Sequence, residues 1–364
     1  TTDGNFVVRG IVIPLASGQV LLFDQELLRV AAVWDRDADA PPITLRTMAQ
    51  ISYDDGLKKA SGLHPMPTGP VTWVTPEHPG VAVSIADLFH DPRVSYPGDA
   101  GRGPLPPAQA RFLGIELTDT VPVLRYSVGT TEVREWHESG RIAEGTNLFR
   151  HWEVGPSTQP VVFALGRASV GKWELKSPGV AALESENSGV LSQAIHVRAT
   201  PGLTLEVVEG ELVAWLRPSA KIQRVSVAWG IGSSEDRLLG STPAVPVQRS
   251  IRRWPEQVRS AVDLATTEQN GLQLDYIATP DENPWGRRVR AADIAFLTPD
   301  RAAVVTYDGD VWLVDGLARE DLADLRWQRF ASGLHESLAV VAVDDVIQVA
   351  TKNGLIRLHD RDGN

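Results

Sequence analysis

The sequence predicts an all-β protein: a large amino-terminal β-sandwich followed by a β-meander with the strand pattern of one β-propeller blade. Three observations carry this. About a dozen runs rich in Val, Ile, Phe and Trp precede residue 232, with no convincing helical period among them. After residue 300, Asp308-Gly309 and Asn353-Gly354 sit between short apolar runs, and these dipeptides favour hairpin turns in which both central residues take positive φ. The length of 364 residues suits two domains rather than one core.

In chain order, FVVRGIVIPL, GQVLLFD and LLRVAAVWD open the sandwich as strands separated by Gly or acidic breaks. Residues 54 to 110 are loop-rich, crowded with Pro, Gly and Asp, and hold only short strand pieces such as VTWVT. Strands return over 111–136, with turns expected at Asp119-Thr120 and Gly129-Thr130, and continue to 232 with a tight hairpin corner at Glu209-Gly210. Residues 1–232 form the sandwich domain, and 233–274 a partly helical connector. The helix is placed from Pro255 to Leu264, with Pro255 in its first turn and Glu256 complementing the dipole. Residues 275–364 form an incomplete propeller: RAAVVTY, DVWLV, SLAVVAV, VIQVAT and LIRLHD are successive strands. A four-stranded unit of about 40 residues is the pattern of one blade. A lone blade exposes apolar faces and an unpaired edge, so further blades are expected from a continuation past Asn364 or from another chain.

Basic residues number 35 and acidic residues 46, giving a net charge of −11, which argues against a nucleic-acid partner. The longest apolar runs, such as LAVVAV, fall far short of the roughly 20 residues of a spanning helix, so no membrane span is expected. The absence of cysteine excludes disulfides, thiolate metal sites, Cys nucleophiles and a covalent c-type haem on this chain. The Thr1-Thr2-Asp3 start is that of a processed or trimmed product. No P-loop, G-x-G-x-x-G after a strand, G-x-S-x-G or H-E-x-x-H occurs, which demotes nucleotide-dependent enzymes and serine hydrolases.

Two groups of residues suggest chemistry. Asp360, Asp362 and Asn364 have the alternate spacing by which a Ca²⁺ loop presents oxygen ligands, the alternative being a solvated acidic tail. Trp73, His90, Asp91 and Arg93, with His64 and His78, lie in the loop-rich region, and aromatic and polar groups on loops above a sandwich are how sugar-binding domains are built. A histidine metal cluster lacks any tight ligand spacing there, and structural loop histidines are the simpler reading.

The stretches LLFDQELLRVAAVWD (21–35), FHDPR (89–93), GRGPLPPAQARFLGIEL (101–117), VLRYSVGTTEV (123–133), NPWGRRVRAADIAF (283–296), GDVWLVDGL (309–317) and LRWQRFASGLHESLAV (325–340) resemble one family. It comprises large secreted membrane-bound dehydrogenase-like, haem-binding proteins of planctomycetes and verrucomicrobia. In that family an amino-terminal β domain of unknown function precedes a propeller similar to those of glucose and sorbosone dehydrogenases, and a c-type cytochrome often follows. The resemblance implies a periplasmic or extracellular, scaffolding part of an oxidoreductase similar to sugar and alcohol dehydrogenases, with haem c on a cytochrome-bearing partner or continuation. It also implies that His335 lies near the propeller channel, where it would act as a general base; the alternative is a histidine capping a strand-entry turn. The rival readings are a polysaccharide-binding surface module and a structural subunit of an electron-transfer complex.

Overall fold

The computed structural model describes residues 7–36, 39, 42–43, 66–93, 103–118, 120–142, 145–167, 172–184, 195–231, 246, 254–265, 271–272, 274–344, 346–352 and 354–360. The chain divides into two compact units, Thr1–Gln248 and Arg249–Asn364. Both are built of antiparallel strands, and among the described residues the helix is a single turn, Ile85–Leu88.

In chain order the first unit runs β1 (Gly10–Pro14), β2 (Gln19–Asp24), β3 (Arg29–Asp35), β4 (Val71–Val74), β5 (Val81–Ala82), β6 (Ala110–Leu117), β7 (Pro122–Val128) and β8 (Thr131–Ile142). It continues with β9 (Gly145–Val154), β10 (Val161–Arg167), β11 (Lys172–Ser177), β12 (Val180–Glu184), β13 (Ile195–Ala199), β14 (Leu203–Val208), β15 (Glu211–Leu216) and β16 (Gln223–Ile231). These strands make two eight-stranded sheets. One has the order β1-β2-β3-β4-β10-β15-β14 with β5 beside β10; the other has the order β11-β12-β13-β16-β9-β8-β7-β6. The sheets face each other across one apolar core, as the expected sandwich requires.

Aromatic pairs stitch the two inner faces. Phe23 on β2 stacks on Tyr126 of β7 at 6.3 Å, Trp152 on β9 stacks on Phe163 of β10 at 4.5 Å, and Trp73 on β4 stacks on Trp229 of β16 at 5.1 Å. Each such pair contributes about 0.5–1.5 kcal/mol beyond its buried area. A bulge in β10 between Ala164 and Gly166 makes room for Trp73, whose Nε1 donates to Leu165 O at 2.8 Å. A Cβ on Gly166, which has φ +128°, would come within 2.6 Å of that indole, so only glycine fits.

The expected turns have different geometries. Glu209 and Gly210 both have positive φ, 51° and 79°, and join β14 to β15 as a two-residue type I′ corner. Gly129-Thr130 joins β7 to β8 with only Gly129 at positive φ, the pattern of a type II′ turn. At the Asp119-Thr120 turn Asp119 lies outside the described residues, and the Thr118 hydroxyl donates to Val121 O at 2.6 Å.

The second unit contains β17 (Gln257–Val258), β18 (Val262–Asp263), β19 (Tyr276–Ile277), β20 (Ala291–Thr298), β21 (Arg301–Thr306), β22 (Val311–Asp315), β23 (Arg326–Ala331), β24 (Ala339–Val343), β25 (Val346–Thr351) and β26 (Gly354–Leu358). Strands β20 to β23 form an up-and-down meander with β17 added beyond β23, and β24 to β26 form a three-stranded meander. The two meanders stack. Ala303, Val305, Val311 and Leu313 of the first pack on Val340, Ile347 and Val349 of the second, and Val340 N donates to Asp293 Oδ2 at 2.8 Å. Strand alternation turns Val341, Val343 and Leu355 to the far side of β24–β26, where they are 51%, 48% and 68% exposed. Ile294 and Phe296 are likewise exposed on β20.

Two sequence expectations are corrected here. The helix placed over Pro255–Leu264 does not form; that segment supplies β17 and β18. Val258 and Val262 are four apart, a spacing that satisfies a helical stripe and a strand face equally, and pairing decides the matter. Val258 lies opposite Trp327 in the sheet, both valines pack on the cluster of Trp312 and Trp327, and Trp327 Nε1 donates to Ser260 Oγ at 3.0 Å. The Asp308-Gly309 corner is not type I′, because only Gly309 has positive φ, 90°. Gly309 N donates to Thr306 O and Thr306 N to Asp310 O, which makes a type I turn closed by a left-handed glycine. A Cβ on Gly309 would meet Leu334 O at 1.8 Å, so the corner admits no side chain. At the Asn353-Gly354 turn between β25 and β26, Asn353 lies outside the described residues.

Candidate functional site

The residues singled out as a loop-borne ligand site are separated by the fold. Trp73 is not on a loop: it belongs to β4, is 6% exposed, and is enclosed by Trp229 and Trp173, so its face is closed to a sugar. The alternation of VTWV aims this ring into the core, a consequence invisible until the strand's partner sheet is known. His90 is exposed after the helical turn. Asp91 and Arg93 form a two-pronged ion pair at 2.7–3.0 Å, and Arg93 also donates to Gly103 O at 3.3 Å. Burial pushes the Asp91 carboxyl up, but the Arg93 hydrogen bonds override it and hold Asp91 below its ordinary value. His78 bridges Pro79 O and Glu211 Oε2, both at 2.8 Å, and His64 lies outside the described residues.

Arg93 joins a wider lattice that pins the loop to the first sheet. Glu26 accepts from Gly103 N at 2.9 Å and pairs with Arg9 at 3.2 Å. Asp24 accepts from Glu26 N, Leu27 N and Arg29 Nε, and Arg29 crosses to Thr75 O at 2.8 Å.

In the second unit His335 lies between β23 and β24, about a quarter exposed, with Nε2 3.5 Å from Glu336 Oε1. Its carbonyl accepts from Lys352 N at 3.0 Å, and the neighbouring Leu334 N donates to Gly309 O at 3.0 Å. The residue therefore sits at the end of the meander that carries the 307–310 turn. Asp360 follows β26, whereas Asp362 and Asn364 lie outside the described residues. Among the described residues no group of three or more His, Asp or Glu gathers as a metal site.

Three motifs far apart in sequence converge on Asp310, which is completely buried. From NPWGRR, Arg287 Nε donates to Asp310 Oδ2 at 2.6 Å; from RWQRF, Arg329 Nη2 donates to Asp310 Oδ1 at 2.9 Å; Asp310 itself comes from GDVW. Asn283 shapes the approach, its Nδ2 donating to Arg287 O at 2.6 Å and its Oδ1 accepting from Arg287 N at 3.0 Å. The Arg329 guanidinium lies 4.5 Å from the Trp254 ring and 5.9 Å from Trp285. This ion-pair node clamps Trp254 and the segment Asn283–Arg287 onto the sheet. Sequence reasoning gave Asp310 no role; the available signal was a carboxylate entering an apolar strand in a segment with several arginines.

A second buried node lies inside the sandwich. Glu135, with no exposure, accepts from Tyr126 Oη at 2.6 Å, Arg150 Nε at 2.8 Å and Trp152 Nε1 at 3.0 Å, and His137 Nε2 stands 2.8 Å away. Burial alone would raise this carboxyl, but Arg150 and then His137 hold it well below the usual carboxylate range. Burial, reinforced by Glu135, drives the Tyr126 hydroxyl well above its ordinary value.

On the opposite face of the same sheet, Ser226 Oγ lies 2.7 Å from His151 Nδ1, and His151 Nε2 is 3.9 Å from Glu138 Oε2. This Ser-His-Glu line is no nucleophile site: Ser226 is 1% exposed, so no substrate carbonyl reaches it, and burial followed by the nearby His137 lowers the His151 pKa to about 3. His137, also buried, is lowered too. A depressed histidine pKa means that protonation favours the unfolded chain, so this stability is complete above about pH 6.5 and is lost as the pH falls toward 3. We expect the unfolding free energy to fall by a few kcal/mol over this range. His151→Asn should flatten the slope between pH 6.5 and 4.5, above the range where ordinary carboxylates titrate, when stability is measured by urea unfolding. An unchanged slope would contradict the assignment.

Fold and sites together define an all-β protein of two units whose most buried charges are paired internally. A family model described as Domain of unknown function (DUF6797) matches residues 21–135, from β2 into β8, which takes in strands of both sandwich sheets. No curated protein matches the chain.

Proposed function

We propose that this chain is a scaffolding part of an exported oxidoreductase similar to sugar and alcohol dehydrogenases. The carboxyl-terminal sheets seat further propeller blades, from a continuation or another chain, and a cytochrome-bearing partner or segment supplies haem c. The single observation behind this reading is the stack of two meanders, with Val341, Val343 and Leu355 exposed on the outer face of β24–β26, which Gln348 and Arg357 share. Exposed apolar side chains rimmed by polar ones mark interaction surfaces. His335, at the loop end of the stack, is the candidate base for removing a substrate hydroxyl proton. Haem on that partner or segment would accept the electrons.

The native preparation decides. It should run on light scattering well above the mass of this sequence, show the Soret band of haem, and reduce an artificial acceptor with a sugar or alcohol. Val341→Asp should release the assembly without unfolding the sandwich. A monodisperse chain of its own mass with no haem absorbance would sink the proposal.

A further inference from the structure

Strand β6 ends the second sandwich sheet: it pairs with β7 and, among the described residues, with no strand on its other side. An open edge is a template for a further strand, and proteins guard such edges with charges, prolines or bulges. Here the edge strand ARFLGIEL leaves Leu113, Ile115 and Leu117 45%, 36% and 39% exposed. Glu116 guards it weakly, because Arg125 of β7 and Arg134 of β8 hold its carboxylate inward at 3.2 and 2.5 Å. Arg111 is exposed towards the other end. The bulge at Leu113 decides what this edge accepts. Phe112 lies opposite Tyr126 and Ile115 opposite Leu124, both core residues, whereas Arg111 lies opposite Ser127 and Glu116 opposite Val123. Phe112 and Ile115 therefore share the inner face and Arg111 and Glu116 the outer, at odd spacings that an unbroken strand does not allow.

We propose that the chain pairs with a second copy of itself through β6, antiparallel about a two-fold axis that passes between Leu113 and Gly114, normal to the sheet. In this register the faces match along the whole strand. Phe112 meets Ile115 of the second copy and Ala110 meets Leu117 on the inner face, while Arg111 meets Glu116 on the outer face. Without the bulge the same register would set inner residues against outer ones. The second copy is the occupant because one strand supplies both the apolar row and the acid that faces Arg111, and two-fold symmetry makes each match twice. Two sandwich sheets then run on as one. This assignment does not rest on the oxidoreductase reading, which uses β24–β26 of the second unit.

Sedimentation equilibrium of the full chain is the test, with dimer expected in the range of about 10–100 μM that suits a single strand pair. Arg111→Glu, which sets carboxylates opposite each other at both symmetric positions, should weaken association about tenfold or more. Ile115→Lys should abolish it, and Val341→Asp should leave it unchanged. Thermal unfolding of each variant verifies that the fold is intact. Because the chain has no cysteine, Leu113→Cys reports the axis directly. Strand spacing brings the two symmetric Cα atoms to roughly 6 Å, within disulfide reach, so mild oxidation should link the copies. Val207→Cys, on the edge strand β14 of the other sheet, is the control and should stay unlinked. A monomer at about 100 μM, a dimer unmoved by Arg111→Glu and Ile115→Lys, a dimer lost in Val341→Asp, or linkage through Leu113→Cys no greater than through Val207→Cys would each overturn the assignment.

Discussion

Glu135→Gln is expected to destabilise the amino-terminal unit by about 3–5 kcal/mol, because it removes the charge that balances a buried guanidinium. Glu135 and Arg150 both have no exposure, and Glu135 also collects Tyr126 and Trp152. Gln keeps the volume and one acceptor oxygen but leaves Arg150 charged inside an apolar core, where the Ala164 carbonyl at 2.9 Å is the acceptor that remains beside it. Urea unfolding with hydrogen exchange localised to β7–β9 would measure the loss. Adding Arg150→Met should recover part of it, since a buried pair replaced by apolar groups is often close to neutral. A single variant within about 1 kcal/mol of the parent would show that the pair is not coupled in this way.

Asp310→Asn should loosen the second unit by about 2–4 kcal/mol, less than the first case because Arg287 is partly solvated and its pairing is screened. Arg329, 9% exposed, would lose its counter-charge while still held between Trp254 and Trp285. The effect should appear first as faster hydrogen exchange in β17 and in the segment around Asn283, which the node clamps to the sheet. Asp308→Asn is the control: Arg290, its partner, is 40% exposed, so the change should cost less than about 1 kcal/mol. Equal effects of the two substitutions would mean that burial of Asp310 does not set its importance.

The strands were legible because their alternation and β-branched content act locally. Strands β21, β22, β24, β25 and β26 and the hairpin corner at Glu209-Gly210 lie where the pattern placed them, whereas β20 and β23 were not among the strands read from it. The Pro255–Leu264 helix failed because valines four apart fit either period, and the Trp327 edge that captures them is about seventy residues downstream. The candidate ligand group failed in part for a related reason. Trp73 reads as a loop aromatic between Pro-rich stretches, yet its neighbours Trp173 and Trp229 come from the other sheet.

The sequence by itself determined the all-β class, most strand positions and the turn corners, because steric alternation and glycine conformations operate within a few residues. Only the tertiary structure decided which charges are buried and with what. His78 meets Glu211 across 133 residues, Arg29 meets Thr75 across 46, and Arg287 meets Asp310 across 23. A charge can leave water only where its counter-charge and hydrogen bonds are already assembled, and that assembly is a property of packed sheets rather than of any one segment.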